Sequence, residues 1–414
     1  MLSKLFFALS TVALISFNSC NPGDNAAPEP DPETPGLPPV DTTKPNTKYN
    51  PAFEGQTRGP GMKTTTALDI KVLSEGLVNP WGIAAMPDGR FLITEKGGTM
   101  RIAKTSGELS SPIIGLPAVN SNGQGGLLGV TLDPGFANTR MAYWVFSENI
   151  DGGTLTAVAK GRLSDDETKI ENPTVIYRAT PAFNGTLHYG GRILFGKDGN
   201  LFVSTGERSN TETRPKAQDL GTGLGKIVHI TKEGRPVAGN PFEGTAGAMP
   251  ENYSYGHRNV QGLALHPETG DLWENEFGPF GGDEVNRIEA SKNYGWPTIT
   301  YGLEYSKDSI NNGLTQKEGL EQPVYYWDPV VSPSGMTFYS GDLIPEWKNN
   351  LFIGCLSGSH IARLKIDNNN KVVGEERLLA DQQQRFRDIV QGKDGALYAI
   401  CDGAHGRLYR IGKK

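Results

Sequence analysis

The chain is poor in cysteine, in histidine and in long apolar segments. Its 414 residues contain three cysteines and six histidines, and neither a CxxCH haem-attachment motif nor a zinc-type cysteine pair occurs among them. The one long apolar run lies at the extreme N-terminus, which excludes a polytopic membrane protein. The net charge of −6 argues against a nucleic-acid-binding surface, because such surfaces are basic.

Glycine, by contrast, is abundant, with 53 residues accompanied by 28 prolines. A helical bundle is excluded, because each glycine inside a helix costs about 1 kcal/mol. Collagen is excluded because the glycines have no three-residue period. The composition instead predicts an all-β fold of short strands and tight turns, in which glycine adopts positive φ without steric cost.

The N-terminus has the pattern of an export signal. Lys4 precedes an apolar run over residues 5–17, and small residues lead to Cys20. We interpret residues 1–20 as a secretory signal peptide, with Cys20 as the acylated cysteine of a bacterial lipoprotein. The alternative is a plain signal peptide whose cleavage removes Cys20. Both interpretations predict export to the periplasm or cell surface, and the lipoprotein interpretation adds membrane contact through the lipid anchor alone.

Residues 21–60 contain 10 of the 28 prolines together with several acidic residues. Such a composition buries too little apolar surface to offset the entropy of ordering the chain. We therefore expect a disordered tether over 21–60, followed by one folded domain over 61–414. The two cysteines of that domain, Cys355 and Cys401, are free to pair after export.

A weak repeat runs through residues 61–414. Each of six copies consists of an apolar strand, a turn, a second apolar strand and a third strand that usually carries a basic residue. The six turns lie at 87–89, 133–135, 197–199, 267–270, 346–349 and 393–395. Because Asp-Gly turns between strands are a strong hairpin signal, the repeat predicts a six-bladed β-propeller. The last copy shows only three strands, so we expect residues 66–73 to supply its fourth strand and close the ring.

Polar side chains precede the first strand of several copies. They are Gln124, His188, Arg258, Asn259, Arg385 and Arg387. First strands line the central channel of a propeller, so their starts meet at one mouth. A functional site is therefore expected at that mouth.

The arginines at this mouth predict an anionic ligand. Buried guanidinium groups need anions, because otherwise their desolvation is uncompensated. No matching set of three carboxylates stands at the same strand starts, so the pattern favours an external polyanion with several carboxylates. The alternative is local pairing, for example of Arg387 with Asp388.

His188 is the best candidate for a general base, because an imidazole titrates near the working pH. A lone histidine is more often structural, but His188 is expected to lie opposite the arginines. The other five histidines are interpreted as structural.

Several long motifs occur in a fixed order along the chain. They are GQGGLLGVTLDPGF (123–136), HYGGRILFGKDGNLFVSTGE (188–207), YGHRNVQGLALHP (255–267), EFGPFGGDEVN (276–286), NYGWP (293–297), SPSGM (332–336) and RFRDIV (385–390). On these motifs, residues 66–412 resemble the soluble glucose/sorbosone dehydrogenases that depend on pyrroloquinoline quinone (PQQ), in particular the aldose sugar dehydrogenase branch. The resemblance implies a six-bladed propeller that oxidises the C1 hydroxyl of a sugar to a lactone and passes electrons to an external acceptor.

The resemblance also implies roles for the site residues. His188 would take the proton of the C1 hydroxyl while the hydride passes to PQQ, and Arg258 would polarise the quinone carbonyl. Asn259 would contact the cofactor beside Arg258, and Gln124 would contact both sugar and cofactor. Arg385 and Arg387 would hold carboxylates of PQQ, which carries three carboxylates and an ortho-quinone.

Calcium is the second cofactor that the resemblance implies. The backbone carbonyls of Gly278 and Pro279 would hold Ca²⁺ at the quinone, since carbonyl oxygens suit a hard cation. Glu284 and the carbonyl of Tyr294 are candidates for a second Ca²⁺ site. The alternative for the acidic pair Asp283 and Glu284 is a solvated turn.

One position departs from the family pattern. Relatives commonly carry a lysine in the segment that corresponds to 356–358, where it meets a PQQ carboxylate, whereas this chain has Ser357. The departure predicts a weakened or replaced contact to the cofactor.

Two other classes of function remain as alternatives. A metal-dependent lactonase or related hydrolase would need carboxylate and asparagine ligands at the mouth instead of three arginines. A non-catalytic propeller that binds carbohydrate or protein is compatible with the fold alone. It has no need of a general base such as His188.

Overall fold

A computed structural model of the chain describes residues 36–414. The predicted signal peptide over 1–20, with Cys20, and the first part of the predicted tether lie outside the described residues. Within the described range, no helix is both long enough and apolar enough to cross a membrane.

Within residues 36–414, twenty-three strands form six antiparallel sheets, which are the blades of a propeller. Blade 1 contains β2 (Pro80–Ala85), β3 (Phe91–Glu95) and β4 (Thr99–Ala103), and blade 2 contains β5 (Leu127–Leu132), β6 (Met141–Ile150), β7 (Gly153–Leu163) and β8 (Ile170–Arg178). Blade 3 contains β9 (Ile193–Phe195), β10 (Leu201–Ser204), β11 (Lys226–Ile230) and β12 (Asn252–Tyr255), and blade 4 contains β13 (Val260–Leu265), β14 (Leu272–Glu276), β15 (Asp283–Ile288) and β16 (Tyr325–Trp327). Blade 5 contains β17 (Pro333–Phe338), β18 (Leu351–Cys355), β19 (His360–Ile366) and β20 (Val372–Leu378), and blade 6 contains β21 (Phe386–Gln391), β22 (Leu397–Cys401), β23 (Gly406–Lys413) and the first strand of the chain, β1 (Leu68–Leu77). The six-bladed all-β fold predicted from the repeat is confirmed.

The ring is closed by its first and last strands. β1 pairs with β23 in antiparallel register, from Leu68 opposite Lys413 to Leu77 opposite Gly406. This pairing gives blade 6 its fourth strand, as the sequence predicted. The inner strands β2, β5, β9, β13, β17 and β21 contact one another in that order, and β21 contacts β2.

Each pair of neighbouring blades buries an apolar cluster of its own. Leu92 of blade 1 and Trp144 of blade 2 share one such cluster, and the other blade interfaces in residues 36–414 have equivalents. At the junction of blades 6 and 1, the rings of Phe91 and Tyr398 lie 4.2 Å apart. A large apolar side chain contributes about 1.5–3 kcal/mol when fully buried, so the blades are held mainly through these interfaces.

A buried ion pair spans the central channel. Arg192 of blade 3 donates from Nη1 to Oδ2 of Asp388 in blade 6 at 2.5 Å, and from Nε to the Gln261 carbonyl of blade 4 at 2.9 Å. Asp388 also accepts the backbone N–H of Ile83 in blade 1 at 3.0 Å. The pair therefore connects four of the six inner strands. It also overturns the suggested pairing of Asp388 with Arg387.

The prediction of a disordered tether is wrong for residues 37–60, which pack against the outer edges of blades 4 and 5. Gln56 is fully buried, and its Nε2 donates to the Pro323 carbonyl at 2.9 Å. Arg58 donates to the Asp328 carbonyl at 2.8 Å, and Gly61 bridges to Glu375 of β20. Composition missed this order because the segment is held by polar contacts to the propeller and not by an apolar core of its own.

The remaining elements are short. In the described part of the chain, a single-turn helix, α1, covers Phe136–Thr139, and four 3-10 helices cover Arg214–Ala217, Ile310–Gly313, Pro345–Trp347 and Ala380–Gln382. Cys355 and Cys401 are both buried and free, so they do not form the disulfide that export would have allowed.

We expect Asp388→Ala to destabilise the protein strongly. The substitution leaves Arg192 buried without its carboxylate, and breaking a buried pair from one side costs about 3–5 kcal/mol. Denaturant unfolding measures the change. Asp342→Ala removes the exposed carboxylate that pairs with Lys348 and serves as the control, with an expected effect below about 1 kcal/mol. Equal changes in the free energy of unfolding for the two substitutions would show that the central pair stabilises the fold no more than an exposed pair does.

Candidate active site

The starts of the inner strands surround a cavity of about 230 Å³ at one end of the channel. We call it the central cavity. Its lining includes Trp81, Gln124, Gly190, Gln261, Arg387 and Asp402, which come from or directly adjoin blades 1, 2, 3, 4 and 6. The predicted mouth is therefore present, and it brings together Gln124, Arg385 and Arg387 as expected.

His188 lies beside this cavity, next to the lining residues Tyr189 and Gly190. Its Nδ1 is 2.5 Å from Oε1 of Glu207, and both side chains are buried. Its backbone N–H donates to Oε1 of Gln124 at 2.8 Å. Because the carboxylate accepts from Nδ1, the Nε2 lone pair is left as the basic atom of the neutral ring. Within residues 36–414, that Nε2 makes no hydrogen bond.

The local chain holds His188 in an unusual conformation. His188 has φ of +46° and Gly190 has φ of +65°. A Cβ at position 190 would lie 2.6–2.7 Å from backbone atoms of Ser204 and Thr205, so glycine is required there. The buried Arg208 guanidinium donates to the Leu187 carbonyl at 3.0 Å and thereby fixes the approach to His188.

The pKa of His188 differs from the sequence-based expectation. Burial and the nearby Arg258 charge lower the pKa of His188 to about 4, and the Glu207 carboxylate opposes them only in part. His188 is therefore neutral at physiological pH by a wide margin, instead of titrating near it. The cause is desolvation, which depends on the folded structure and cannot be read from the residue type.

Asn259 plays a supporting part in this arrangement. It is fully buried, lines neither this cavity nor the smaller one described below, and accepts the Gly190 N–H at 3.0 Å on Oδ1. Glu207 in turn donates its backbone N–H to the Arg258 carbonyl at 3.0 Å. The histidine pair of blade 3 and Arg258 of blade 4 are thus adjacent.

Arg385 and Arg387 share one carboxylate. Asp402 lies 3.4 Å from Arg385 and 3.1 Å from Arg387. Burial acts to raise the pKa of Asp402, but the two guanidinium charges outweigh it, and the pKa lies below its ordinary value. The sequence analysis missed Asp402, because it follows β22 and does not stand at an inner-strand start. Nε of the deeply placed Arg387 still has no partner in residues 36–414, so capacity for a further anion remains.

Arg258 occupies the wall between the central cavity and a smaller one. Its Nη1 donates to the carbonyls of Phe277 and Gly278, at 3.0 and 2.8 Å, and Phe277 lines both cavities. The guanidinium carbon lies 5.1 Å from the Trp296 ring centroid. Arg258 therefore lines the smaller cavity, whereas Arg385 and Arg387 line the central one.

The smaller cavity has a volume of about 10 Å³, close to the space of one water molecule. All four residues predicted to hold calcium line it: Gly278, Pro279, Glu284 and Tyr294. Glu276 lines it as well, and it accepts the backbone N–H of Asn259 at 3.1 Å. The sequence reasoning missed Glu276, although it opens the quoted motif over 276–286.

Carboxylates crowd the interior behind this cavity. Glu274 is fully buried, its Oε2 has no partner in residues 36–414, and burial together with the Glu276 charge raises its pKa well above the ordinary value. The same two causes raise the pKa of Glu284. A cation would favour the charged forms of both carboxylates, so this acidic set fits a divalent metal.

Two residues near these glutamates, Asp283 and His257, form hydrogen bonds with other groups of the protein. Asp283 is buried and accepts the backbone N–H groups of Gly278, Val331 and Ser332 at 2.7–2.8 Å, so it braces the loop and is not part of a solvated turn. His257 lies between Ser254, at 2.8 Å, and Glu276, at 3.3 Å. Both ring nitrogens are thus engaged, which agrees with its structural interpretation.

Ser357, which stands where the family pattern predicted a lysine, is bonded to a neighbouring hydroxyl group. Its hydroxyl is 2.7 Å from that of Ser332, while the preceding Leu356 lines the central cavity. Of these two residues after β18, the apolar Leu356 lines the central cavity and the neutral Ser357 does not. PQQ nevertheless fits the donors that are present, because Arg387 and Arg258 each retain a buried Nε without a partner in the described part of the chain.

The fold and the site define a class of propeller: a closed six-bladed ring with a cation-lined cavity and a buried histidine–carboxylate pair at its mouth. Residues 77–410 match the profile of the family described as Glucose / Sorbosone dehydrogenase. The chain belongs to this family.

Individual relatives agree with the family assignment. The chain is 42% identical over 347 residues to an aldose sugar dehydrogenase of Escherichia coli strain K12, covering 83% of this chain and 92% of that protein. A crystal structure of the soluble aldose sugar dehydrogenase from Escherichia coli in its apo form has a TM-score of 0.80 at 41% identity, covering 84% and 100% of the two chains. The PQQ-bound aldose sugar dehydrogenase of Streptomyces coelicolor has a TM-score of 0.69 at 27% identity, covering 85% and 100%.

His188 should make the stability of the protein depend on pH in mild acid. The folded state holds its pKa at about 4, whereas an unfolded chain has about 6.5. Between these values the unfolded state binds the additional proton. The contribution of His188 is therefore complete above pH 6.5 and falls by up to about 1.4 kcal/mol per pH unit as the pH drops toward 4. Unfolding of the wild type and His188→Gln at several pH values measures this, and a constant difference between them would contradict it.

Proposed function

We propose that the protein is a PQQ-dependent aldose sugar dehydrogenase that oxidises the C1 hydroxyl of a sugar to the lactone. The observation that carries the proposal is the buried His188–Glu207 pair beside a cavity whose cations outnumber its carboxylates. A general base next to an anion site suits proton removal from a substrate lying on an anionic cofactor. The relatives named aldose sugar dehydrogenase support the oxidation of a sugar.

Arg385 and Arg387 hold carboxylates of PQQ in this proposal. Both line the central cavity, and guanidinium groups form directed, charge-assisted hydrogen bonds to carboxylates. Arg258 places its charge at the boundary of the same space, where it stabilises negative charge that develops on a carbonyl oxygen. When bound, PQQ supplies an ortho-quinone that accepts the hydride from C1.

His188 takes the proton of the C1 hydroxyl at Nε2. Glu207 keeps the ring in the required tautomer and stabilises the imidazolium that forms, because its carboxylate accepts the Nδ1–H. Gln124 fixes the backbone of His188 and lines the cavity as well, so it lies between the base and the bound ligands. The lowered pKa of His188 keeps the base unprotonated, and nearby carboxylates of a ligand would raise that pKa and strengthen the base.

Calcium is proposed at the smaller cavity. The Gly278 and Pro279 carbonyls would hold Ca²⁺ near the quinone. Glu284 and the Tyr294 carbonyl, the candidates for a second ion, would bind this same ion, because the cavity is about the size of one water molecule. All four line one space, and the unpartnered Oε2 of Glu274 adds a buried acceptor next to it. The Gly278 carbonyl already accepts from Arg258, so a cation there would share this oxygen through its second lone pair or displace the guanidinium.

The alternative functions have weaker support. A metal-dependent lactonase needs open carboxylates in the main cavity, but Asp402 is held there by Arg385 and Arg387. A propeller that only binds carbohydrate has no use for a buried His–Glu pair. We also propose export to the periplasm or cell surface with a lipid anchor at Cys20, and electron transfer to an external acceptor. Both rest on the sequence alone.

Replacement of the base tests the reaction. His188→Ala should bind PQQ but lose about 10²–10⁴ in turnover, the usual scale for removal of a general base. Purified apoprotein is loaded with PQQ and Ca²⁺, and dye reduction is followed with several aldoses. His266→Ala, in the turn after β13 at the far end of that strand, is the control and should keep its turnover. Dye reduction by the variant at the wild-type rate would contradict the role of His188. Absence of PQQ uptake by the wild type would contradict the proposed reaction.

Calcium binding has a separate test. Ca²⁺ should raise the thermal midpoint of chelator-treated apoprotein, because a ligand that binds only the folded state stabilises it. Glu284→Gln should reduce this increase, since it removes a charge at the small cavity. Glu108→Gln alters an exposed carboxylate that pairs with Lys104 and should leave the increase unchanged. An unchanged increase in Glu284→Gln would place the ion elsewhere.

A further inference from the structure

Lys96 is a cation of the central cavity that none of the roles above uses. It follows β3 directly and lines the cavity together with Gln124 and Arg387. Its Nζ donates to the Gly123 carbonyl at 2.5 Å, which occupies one of three ammonium protons. It forms no ion pair with the carboxylates of residues 36–414, since the carboxylate in the cavity, Asp402, pairs with Arg385 and Arg387.

The backbone of blade 2 seats this lysine in a defined place. Gly126 has φ of +136°, and a Cβ there would lie 2.5 Å from Cγ of Lys96 and 2.4 Å from its carbonyl oxygen. Only glycine at this position leaves room for the aliphatic stem. The Lys96 carbonyl accepts the N–H of Leu127 at 3.0 Å. The aliphatic stem is therefore positioned by packing, and the ammonium group lies at the edge of the cavity, where it is bonded to the Gly123 carbonyl.

The charges around the cavity do not balance. Lys96, Arg385 and Arg387 are three cations, and Asp402 is the one carboxylate among the lining residues. Burial lowers the pKa of Lys96, the Arg387 charge adds to that shift, and Asp402 opposes it. A bound anion would reverse these effects, because an opposite charge favours the ammonium form.

We propose that Lys96 is a third cationic contact for the carboxylates of PQQ, supplied by blade 1 and acting with Arg385 and Arg387. This rests on the proposed function. The positive charge that the family resemblance led us to expect from blade 5 is missing, since Ser357 is neutral and bonded to Ser332. Lys96 provides a charge of the same sign on the opposite flank of Arg387 along the ring of blades.

The test is a comparison of cofactor affinity in Ca²⁺-containing buffer. Isothermal titration of wild-type apoprotein, Lys96→Gln and Lys96→Arg with PQQ gives three dissociation constants without any sugar or dye. Lys96→Gln should weaken binding about 10- to 100-fold, the loss expected for one hydrogen bond to a charged group, while Lys96→Arg keeps most of the affinity. Lys104→Gln removes an exposed lysine paired with Glu108 and should bind as the wild type does.

A second ligand separates charge from shape. The trimethyl ester of PQQ carries no carboxylate charge, so wild type and Lys96→Gln should bind it with equal, weak affinity. Equal affinity of wild type and Lys96→Gln for PQQ itself overturns the role of Lys96 while leaving the proposed function intact. An equal loss for PQQ and its ester also overturns it, because that pattern reports a changed shape. Absence of PQQ binding to the wild type would instead overturn the proposed function.

Discussion

The buried contact between Arg192 and Asp388 sets the geometry on which the site depends. It crosses the channel from blade 3 to blade 6 and also reaches backbone groups of blades 1 and 4. Two opposite charges in a low-dielectric interior must remain together, since either one alone is costly. The inner strands are thereby held at a fixed spacing. The central cavity is lined by residues of the same inner strands, and its cations are paired only in part.

The architecture was accessible from the sequence because its signals are local. A turn of three or four residues followed by an apolar strand recurs six times, and hairpin geometry depends on those residues alone. Gln124 and Arg387 could be placed at the mouth for the same reason, since each stands at an inner-strand start. Closure by β1 followed from counting the strands of the last repeat. These predictions needed only the order of elements along the chain.

The partners of the site residues depend on distances across the fold, and the sequence did not reveal them. Glu207 is 19 residues from His188, and Asp402 is 15 from Arg387. Both acids follow the second strand of their blade, in loops that composition treats as solvated. The pKa of His188 was misjudged because burial acts on it more strongly than its neighbours do. The order of residues 37–60 was missed because Gln56 and Arg58 are stabilised by another part of the chain.

The sequence repeats blade by blade, but the blades do not unfold independently, because each apolar cluster is shared by two neighbouring blades. In a linear array of repeats, the terminal units have one neighbour each, and unfolding can begin there. In this ring every blade shares a buried cluster with the blade on either side, and the pairing of β1 with β23 removes the ends. Loss of one blade would open two clusters at once. We therefore expect the propeller to unfold as a single cooperative unit, because the closed ring has no terminal blade from which unfolding can begin.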